Sequence, residues 1–263
     1  MSSVLNNFMV DGFSEFFREQ CLLEHGEDVK VQVRDILKRS KPKTKRGLLI
    51  VFEGIDGAGK TTQVNLLKKW LEKEQNYAVT FSKWNSAKPI KPLTSALKDK
   101  RELSPILYSL MHAADMVHRY ENCILPALSA NKIVLCDRYI YTSIVRDKAR
   151  GVDVEWLNKI YKDMREPDVL FYCNVPIHIA FGRLMKEKGL TYYGTGSDLN
   201  LADSREENYI KYEHLLDKLY RKVLPEVKSF HKLDMRKSIP EIQEDIQAIV
   251  KRKFGIGKYA KEE

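Results

Sequence analysis

The stretch IVFEGIDGAGKTTQ, Ile50 to Gln63, constrains this chain more than any other. An apolar run stops at Glu53, a glycine-rich turn follows, and Lys60, Thr61 and Thr62 open the amphipathic run KTTQVNLLKKWLEKE. A continuous apolar strand has no solvent side, so strand, tight loop and helix in this order demand a mostly parallel sheet covered on both faces. Gly54, Gly59, Lys60 and Thr61 satisfy G-x-x-x-x-G-K-[ST] between a strand and a helix, where that motif works. Its glycines let backbone N–H groups converge on phosphate oxygens, and the helix N-terminus adds a favourable dipole. Lys60 then supplies a point charge for the phosphates, and the Thr61 hydroxyl can ligate Mg2+.

The same alternation continues along the chain. LLIVFE, AVTFS, KIVLCD, VLFYCNV and FHKLD are predicted strands, five in all. A long helix is predicted to start near Pro105, another to run from Pro176 to a stop at Gly189, and a last one to begin at a capping box, Ser238 with Glu241. Residues 1–46 differ in kind. Phe8, Met9, Phe13, Phe16 and Phe17 recur at near-helical spacing, a second amphipathic piece spans about Val29 to Leu37, and KPKTKRG breaks any helix. The expected organisation is a helical N-terminal extension with a basic linker (1–46), an α/β domain (47–255) and a basic tail (256–263).

Composition narrows the function classes. With 43% hydrophobic and 31% charged residues among 263, the chain has an ordinary globular composition and no long uncharged run to span a membrane. Its net charge of +9 suits anionic partners, small or large. Much of it lies in Lys38–Arg46 and in the tail, and no aromatic residue interleaves the first run, so no nucleic-acid platform is expected. Cys21, Cys123, Cys136 and Cys173 are scattered without a CxxC pair, which predicts reduced thiols and a cytoplasmic setting.

A phosphate loop also serves switches and motors. The Asn-Lys-x-Asp base-reading sequence of GTPase switches is missing: Asn131-Lys132 leads into Ile133-Val134, and Asn158-Lys159 into Ile160-Tyr161. KIVLCDRY instead places Asp137 at the carboxyl end of a buried strand, where ligands gather in open α/β sheets. An acid there can hold a metal-bound water, with Arg138 beside it to neutralise phosphoryl charge; such a pair also occurs as a plain surface ion pair.

With these residues in place the sequence resembles the thymidylate kinase family of P-loop nucleoside monophosphate kinases. FEGIDGAGKTTQ is similar to that family's loop, CDRYIYTS to its Asp-Arg-Tyr-x-x-Ser segment with Thr142 at the serine, and PDVLFYCNVPIHIAFGRL to its fourth strand and the following helix. The resemblance runs from about Gly47 to Ile249. It implies a three-layer P-loop kinase fold with a lid at about 186–206, and transfer of the ATP γ-phosphate, with Mg2+, to a nucleoside monophosphate, dTMP being the first candidate. It also implies that Gly54, Asp56, Gly57, Ala58, Gly59, Lys60, Thr61 and Thr62 hold ATP, that Thr61 and Asp137 serve the metal, and that the loop after Asp234 lies near adenine. Lys60, Asp137 and Arg138 would act on the transferred group. The loop has Gly57-Ala58 where some members carry an arginine, so Arg183, Lys186, Lys188 and Arg205 are the substitutes. A homodimer is possible.

The departures fall on the acceptor side. Lys83 and Trp84 stand where the family has an arginine for the acceptor phosphate, and His112 and Met116 where it has a base-stacking Phe and an arginine. Methionine cannot replace arginine at a phosphate, and lysine does so poorly. Asp56, Lys83, Trp84, His112, Met116, Arg119, Arg138 and Arg146 are the candidate acceptor residues, with Trp84 equally able to stack on a base or to cover the core. This pattern predicts that dTMP is a poor acceptor. The rival readings are a paralogue acting on another acceptor, polyphosphate included, through Arg146 and Arg150, and a nucleotide-binding interaction protein with little turnover.

Overall fold

The computed structural model describes residues 47–187 and 189–255; the expected extension and linker, Lys188 and the tail 256–263 lie outside the described residues. The five expected strands all form: β1 (Leu48–Glu53), β2 (Val79–Lys83), β3 (Ile133–Asp137), β4 (Val169–Asn174) and β5 (Phe230–Asp234). They pair in parallel in the order β2-β3-β1-β4-β5. β1 sits centrally, and Leu49, Ile50, Val51 and Phe52 are fully buried. Burying each such side chain contributes about 1.5–3 kcal/mol before entropy is counted. In this register Phe52 lies opposite Asp137 and Asp137 opposite Lys83, so the phosphate loop, Asp137 and Lys83 reach the same edge of the sheet.

Among the described residues the α-helices are α1 (Lys60–Lys73), α2 (Lys91–Asp99), α3 (Pro105–Arg119), α4 (Leu125–Ser129), α5 (Ile140–Lys148), α6 (Val154–Tyr161), α7 (Ile177–Glu187), α8 (Arg205–Val223) and α9 (Ile239–Phe254). α1 packs with α9, and α5 packs with both α3 and α8. The capping box at Ser238 and Glu241 forms as expected. Between α3 and α4 the chain widens into a π turn over Tyr120–Ile124. Pro126 has no N–H to give to the carbonyl four residues back, which accounts for the widening.

Four helices were not expected: α2, α5, α6 and α8. Every residue of α5 from Ile140 to Asp147 is buried, so polar and apolar positions do not alternate in any helical period. In α8 the buried face is carried by Tyr209, Tyr212, Glu213, Leu216 and Tyr220. Tyrosine carries a weak hydropathy signal, and this 19-residue helix begins where the expected lid ends. Among the described residues no helix is long and apolar enough to cross a membrane. Cys136 and Cys173 are buried free thiols, pushed up to about 12 by burial; Cys123 is half-buried and free.

Candidate active site

A cleft of about 790 Å3 opens at the carboxyl edge of the sheet, lined by the loop after β1, the ends of β2 and β3, and parts of α2, α5, α7 and α9. The loop is shaped by contact as well as by dihedral preference. Gly57 has φ +79°, and a Cβ there would lie 2.2 Å from the Ala180 carbonyl oxygen on α7. Only glycine lets the loop lie flat against α7 and keep its concave side for the cleft. Lys60 curls back so that Nζ donates to the Ile55 carbonyl at 2.5 Å. Burial first, then the charge of Arg138, holds this amine down at about 8. The Thr61 hydroxyl donates to Asp137 Oδ2 at 2.5 Å. A hydroxyl and a carboxylate brought together beside a glycine arch form an oxygen donor set of the kind that suits Mg2+.

Around Asp56 the loop joins the rest of the site. One of its carboxylate oxygens accepts from Arg138 Nη2, and the other accepts from Arg146 Nη2 at 2.9 Å. Arg138 also donates to the Gly54 carbonyl at 2.8 Å and to the hydroxyls of Thr142 and Tyr220, both at 3.2 Å. Its backbone has φ +73°, a left-handed conformation that a non-glycine residue holds only where its surroundings enforce it. The enforcing group is Glu53, fully buried at the end of β1. Its Oε1 accepts from the backbone N–H of Tyr139 at 2.8 Å and of Thr142 at 3.2 Å, and its Oε2 from the Thr142 hydroxyl at 2.6 Å and the Tyr220 hydroxyl at 3.2 Å. From α8, Glu213 Oε2 accepts from the Asp56 N–H at 3.4 Å, and burial pushes the Glu213 carboxyl up to about 8.

Lys83 sits exposed at the cleft mouth and Trp84 half-buried in its wall. Trp84 stacks on His112, with ring centroids 4.4 Å apart and planes 14° from parallel, so the indole covers that histidine. His112 is fully buried behind it, Met116 is fully buried in the interior, and neither lines the cleft. Arg119 is also interior: it donates to Asp115 and Ser82, each at 2.8 Å. Asp115 in turn accepts from the backbone N–H of Asn85 at 2.9 Å and of Ala87 at 2.7 Å, which fixes the loop after β2. Arg146 does line the cleft, with its guanidinium 5.3 Å from the Trp84 ring.

The segment after Gly189 is docked over the cleft. The Tyr193 hydroxyl accepts from the Leu103 N–H at 2.9 Å, and Arg150 grips Asp198 through two bonds of 2.7 and 3.0 Å. Arg150 further donates to the Tyr212 hydroxyl at 2.6 Å and stacks 4.0 Å from the Tyr108 ring, which leaves it a fastener of this segment and not a cleft cation. Arg183 lines the cleft and donates to the Met235 carbonyl at 3.0 Å, while Arg205 is exposed at the start of α8 and outside the cleft lining. Lys186 likewise is absent from the lining. Met235, Lys237, Ile239 and Ile242 do line it, which places the loop after Asp234 beside the phosphate loop.

The structure thus brings together Asp56, the residues from Gly57 to Thr62, Lys83, Trp84, Asp137, Arg138, Arg146 and Arg183. It adds residues that the sequence reading missed: Glu53, Lys98, Arg101, Tyr108 and Glu213. Glu53 had a legible signal, a carboxylate closing an otherwise apolar strand. Lys98 had none, being one of two lysines on α2 with no neighbouring residue to set it apart.

The comparisons with known proteins agree with this geometry. The family model described as Thymidylate kinase matches residues 52–246. The chain is 38% identical over 206 residues to "Probable thymidylate kinase 2" of Saccharolobus solfataricus, covering 78% of this chain and 96% of that protein. It is 32% identical over 215 residues to "Probable thymidylate kinase" of Pyrococcus horikoshii, covering 80% and 98%, and 34% identical over 201 residues to the protein of that name from Staphylothermus marinus, covering 74% and 96%. A phosphate loop, an acid at the end of β3 and a cation-lined cleft are the parts of a phosphotransferase, and with matches over nearly the full length of these relatives they establish that the chain belongs to the thymidylate kinase family and is a nucleoside monophosphate kinase.

Proposed function

We propose that the chain transfers the γ-phosphate of ATP to dTMP. The observation that carries the reading is the Asp56 hub, which ties the phosphate loop to Arg138 and Arg146 on the acceptor side of one cleft. Lys60 and the loop amides hold the donor phosphates, Arg138 faces the junction between donor and acceptor, and Arg183 closes the donor side from α7. Thr61 and Asp137 are the residues for Mg2+, which when bound neutralises charge on the phosphates. In-line phosphoryl transfer needs little beyond positioning and charge stabilisation, and these side chains supply both.

The expectation that dTMP is a poor acceptor rested on two missing arginines, with Arg119 and Arg146 as the nearest basic substitutes. The cleft contains Arg146 and Lys98 in addition to Lys83, so it is not short of positive charge. Polyphosphate would need Arg150, which is committed to Asp198 and Tyr212, and the relatives' names point to a thymidylate acceptor. Asp137 beside an intact Lys60, with further cations lining the same cleft, favours turnover over a binding module. Steady-state kinetics with dTMP, dUMP, dCMP, AMP, GMP and polyphosphate at saturating ATP test the assignment. We expect dTMP to give the highest kcat/KM; a clear preference for any other acceptor overturns it.

Asp137→Asn is expected to lower Mg2+-dependent turnover far more than ATP affinity, since backbone amides and Lys60 do most of the holding. Removal of one charge-stabilising group costs about 10²–10³ in rate. ADP release measured across Mg2+ concentrations, beside ATP binding, checks this; unchanged turnover and metal dependence would leave Asp137 a structural acid. The exposed Ile106 and Leu110, one turn apart on α3, are apolar surface that a two-copy assembly would cover.

A further inference from the structure

Lys98 projects from α2 into the cleft and is half-buried there. Its Nζ lies 3.0 Å from His112 Nε2. The other ring nitrogen, Nδ1, lies 2.7 Å from the Tyr108 carbonyl oxygen. A carbonyl can only accept, so the ring proton sits on Nδ1 and Nε2 offers a lone pair to the ammonium. Burial and the neighbouring Lys98 charge keep this imidazole neutral, well below its ordinary value. Lys98 is therefore a cation whose hydrogen-bond partner carries no charge.

Asp56 and Asp115 attract this ammonium from a distance, but burial and the nearby arginines outweigh them. Both oxygens of Asp56 are held by Arg138 and Arg146, and those of Asp115 by Arg119 and by the backbone of Asn85 and Ala87. Arg146 and Arg150 add like charge nearby and, after burial, push the Lys98 amine down to about 8. The Trp84 and Tyr108 rings, 5.7 and 5.6 Å from Nζ, soften the burial without neutralising it. A second observation points the same way. Arg146 is almost wholly buried and lines the same cleft, yet its Nε–H has no hydrogen-bond partner. Buried cations and donors are normally paired, so an ammonium on a neutral imidazole beside an incompletely bonded guanidinium, both residues lining one cleft, marks a place for an anion.

We infer that Lys98, positioned by neutral His112, and the guanidinium of Arg146 receive the phosphate of the acceptor nucleotide. The inference rests on the acceptor reading above and assigns its phosphate contact to α2. His112 is then a positioning residue: it aims the ammonium and touches no ligand.

The test uses the full-length protein with saturating ADP and Mg2+ to fill the donor loop, and titrates dTMP, thymidine and inorganic phosphate calorimetrically. Lys98→Met should weaken dTMP by roughly tenfold or more, the size of one lost charge-assisted bond, and leave thymidine unchanged. Lys98→Arg, which keeps the charge, should recover most of the loss and guards against a folding defect. Equal weakening of dTMP and thymidine would mean that Lys98 only props the Trp84 wall, and no weakening of either would remove it from the site. A wild type that binds neither nucleotide sinks the dTMP assignment but not this inference. Inorganic phosphate then decides it: binding lost in Lys98→Met upholds the inference, and binding by both proteins or by neither overturns it.

Discussion

Lys60→Ala should reduce turnover by at least about 10²–10³-fold, the range found when a single preorganised charge-stabilising group is removed. The expected loss lies in chemistry and donor affinity, and stability should hold. Lys60 is a buried cation with one neutral partner, the Ile55 carbonyl at 2.5 Å, and burial already depresses its amine to about 8. Deleting it removes a desolvated charge and exposes no apolar surface of consequence, so the melting temperature should stay level or rise. ADP release and thermal unfolding measured on the same preparation separate the two effects. Normal turnover in a folded Lys60→Ala protein would take the loop out of the mechanism.

Glu53→Ala should produce the opposite signature, a loss of stability first. The carboxylate accepts two backbone N–H groups and two hydroxyls in a fully buried place. Alanine would strand the amides of Tyr139 and Thr142 without partners and leave a small cavity, at a cost on the order of 3–5 kcal/mol. For a domain of this size that corresponds to a fall of about 6–20 °C in Tm. Activity should fall as well, because the same bonds hold the turn in which Arg138 takes its left-handed backbone. Glu53→Gln should be milder, since the amide oxygen can still accept from both backbone groups. Unfolding curves for the two variants check this, and an alanine variant as stable as wild type would show that Glu53 does not organise the turn.

Taken together, these two residues separate what was legible from what was not. The donor half of the site was written locally. Gly57, Gly59, Lys60 and Thr61 are neighbours in the chain, their roles follow from loop geometry and a helix start, and the strand that carries them is a continuous apolar run. Asp137 was legible for a related reason: it ends a second apolar strand, and parallel register brings such ends to one edge. The strands, the capping box at Ser238 and the family resemblance all rest on short-range pattern of this kind.

The acceptor half is built by contacts between residues far apart in the chain, and local pattern is silent about those. Arg119, Arg146 and Arg150 are equivalent as letters. Tertiary structure gives Arg119 to Asp115 in the interior, Arg150 to Asp198 on the docked segment, and Arg146 to Asp56 in the cleft. His112 sits at the predicted place on α3 but lies behind Trp84, because an indole from the loop after β2 stacks over it. Lys98 is one lysine among many until folding strips away much of its water and leaves it facing a neutral imidazole. The sequence by itself determined the parallel sheet, the phosphate loop and the acid opposite it, since periodicity, turn chemistry and strand register are properties of neighbouring residues. Which cations face the acceptor was decided only in the tertiary structure, since that depends on which carboxylates reach them first.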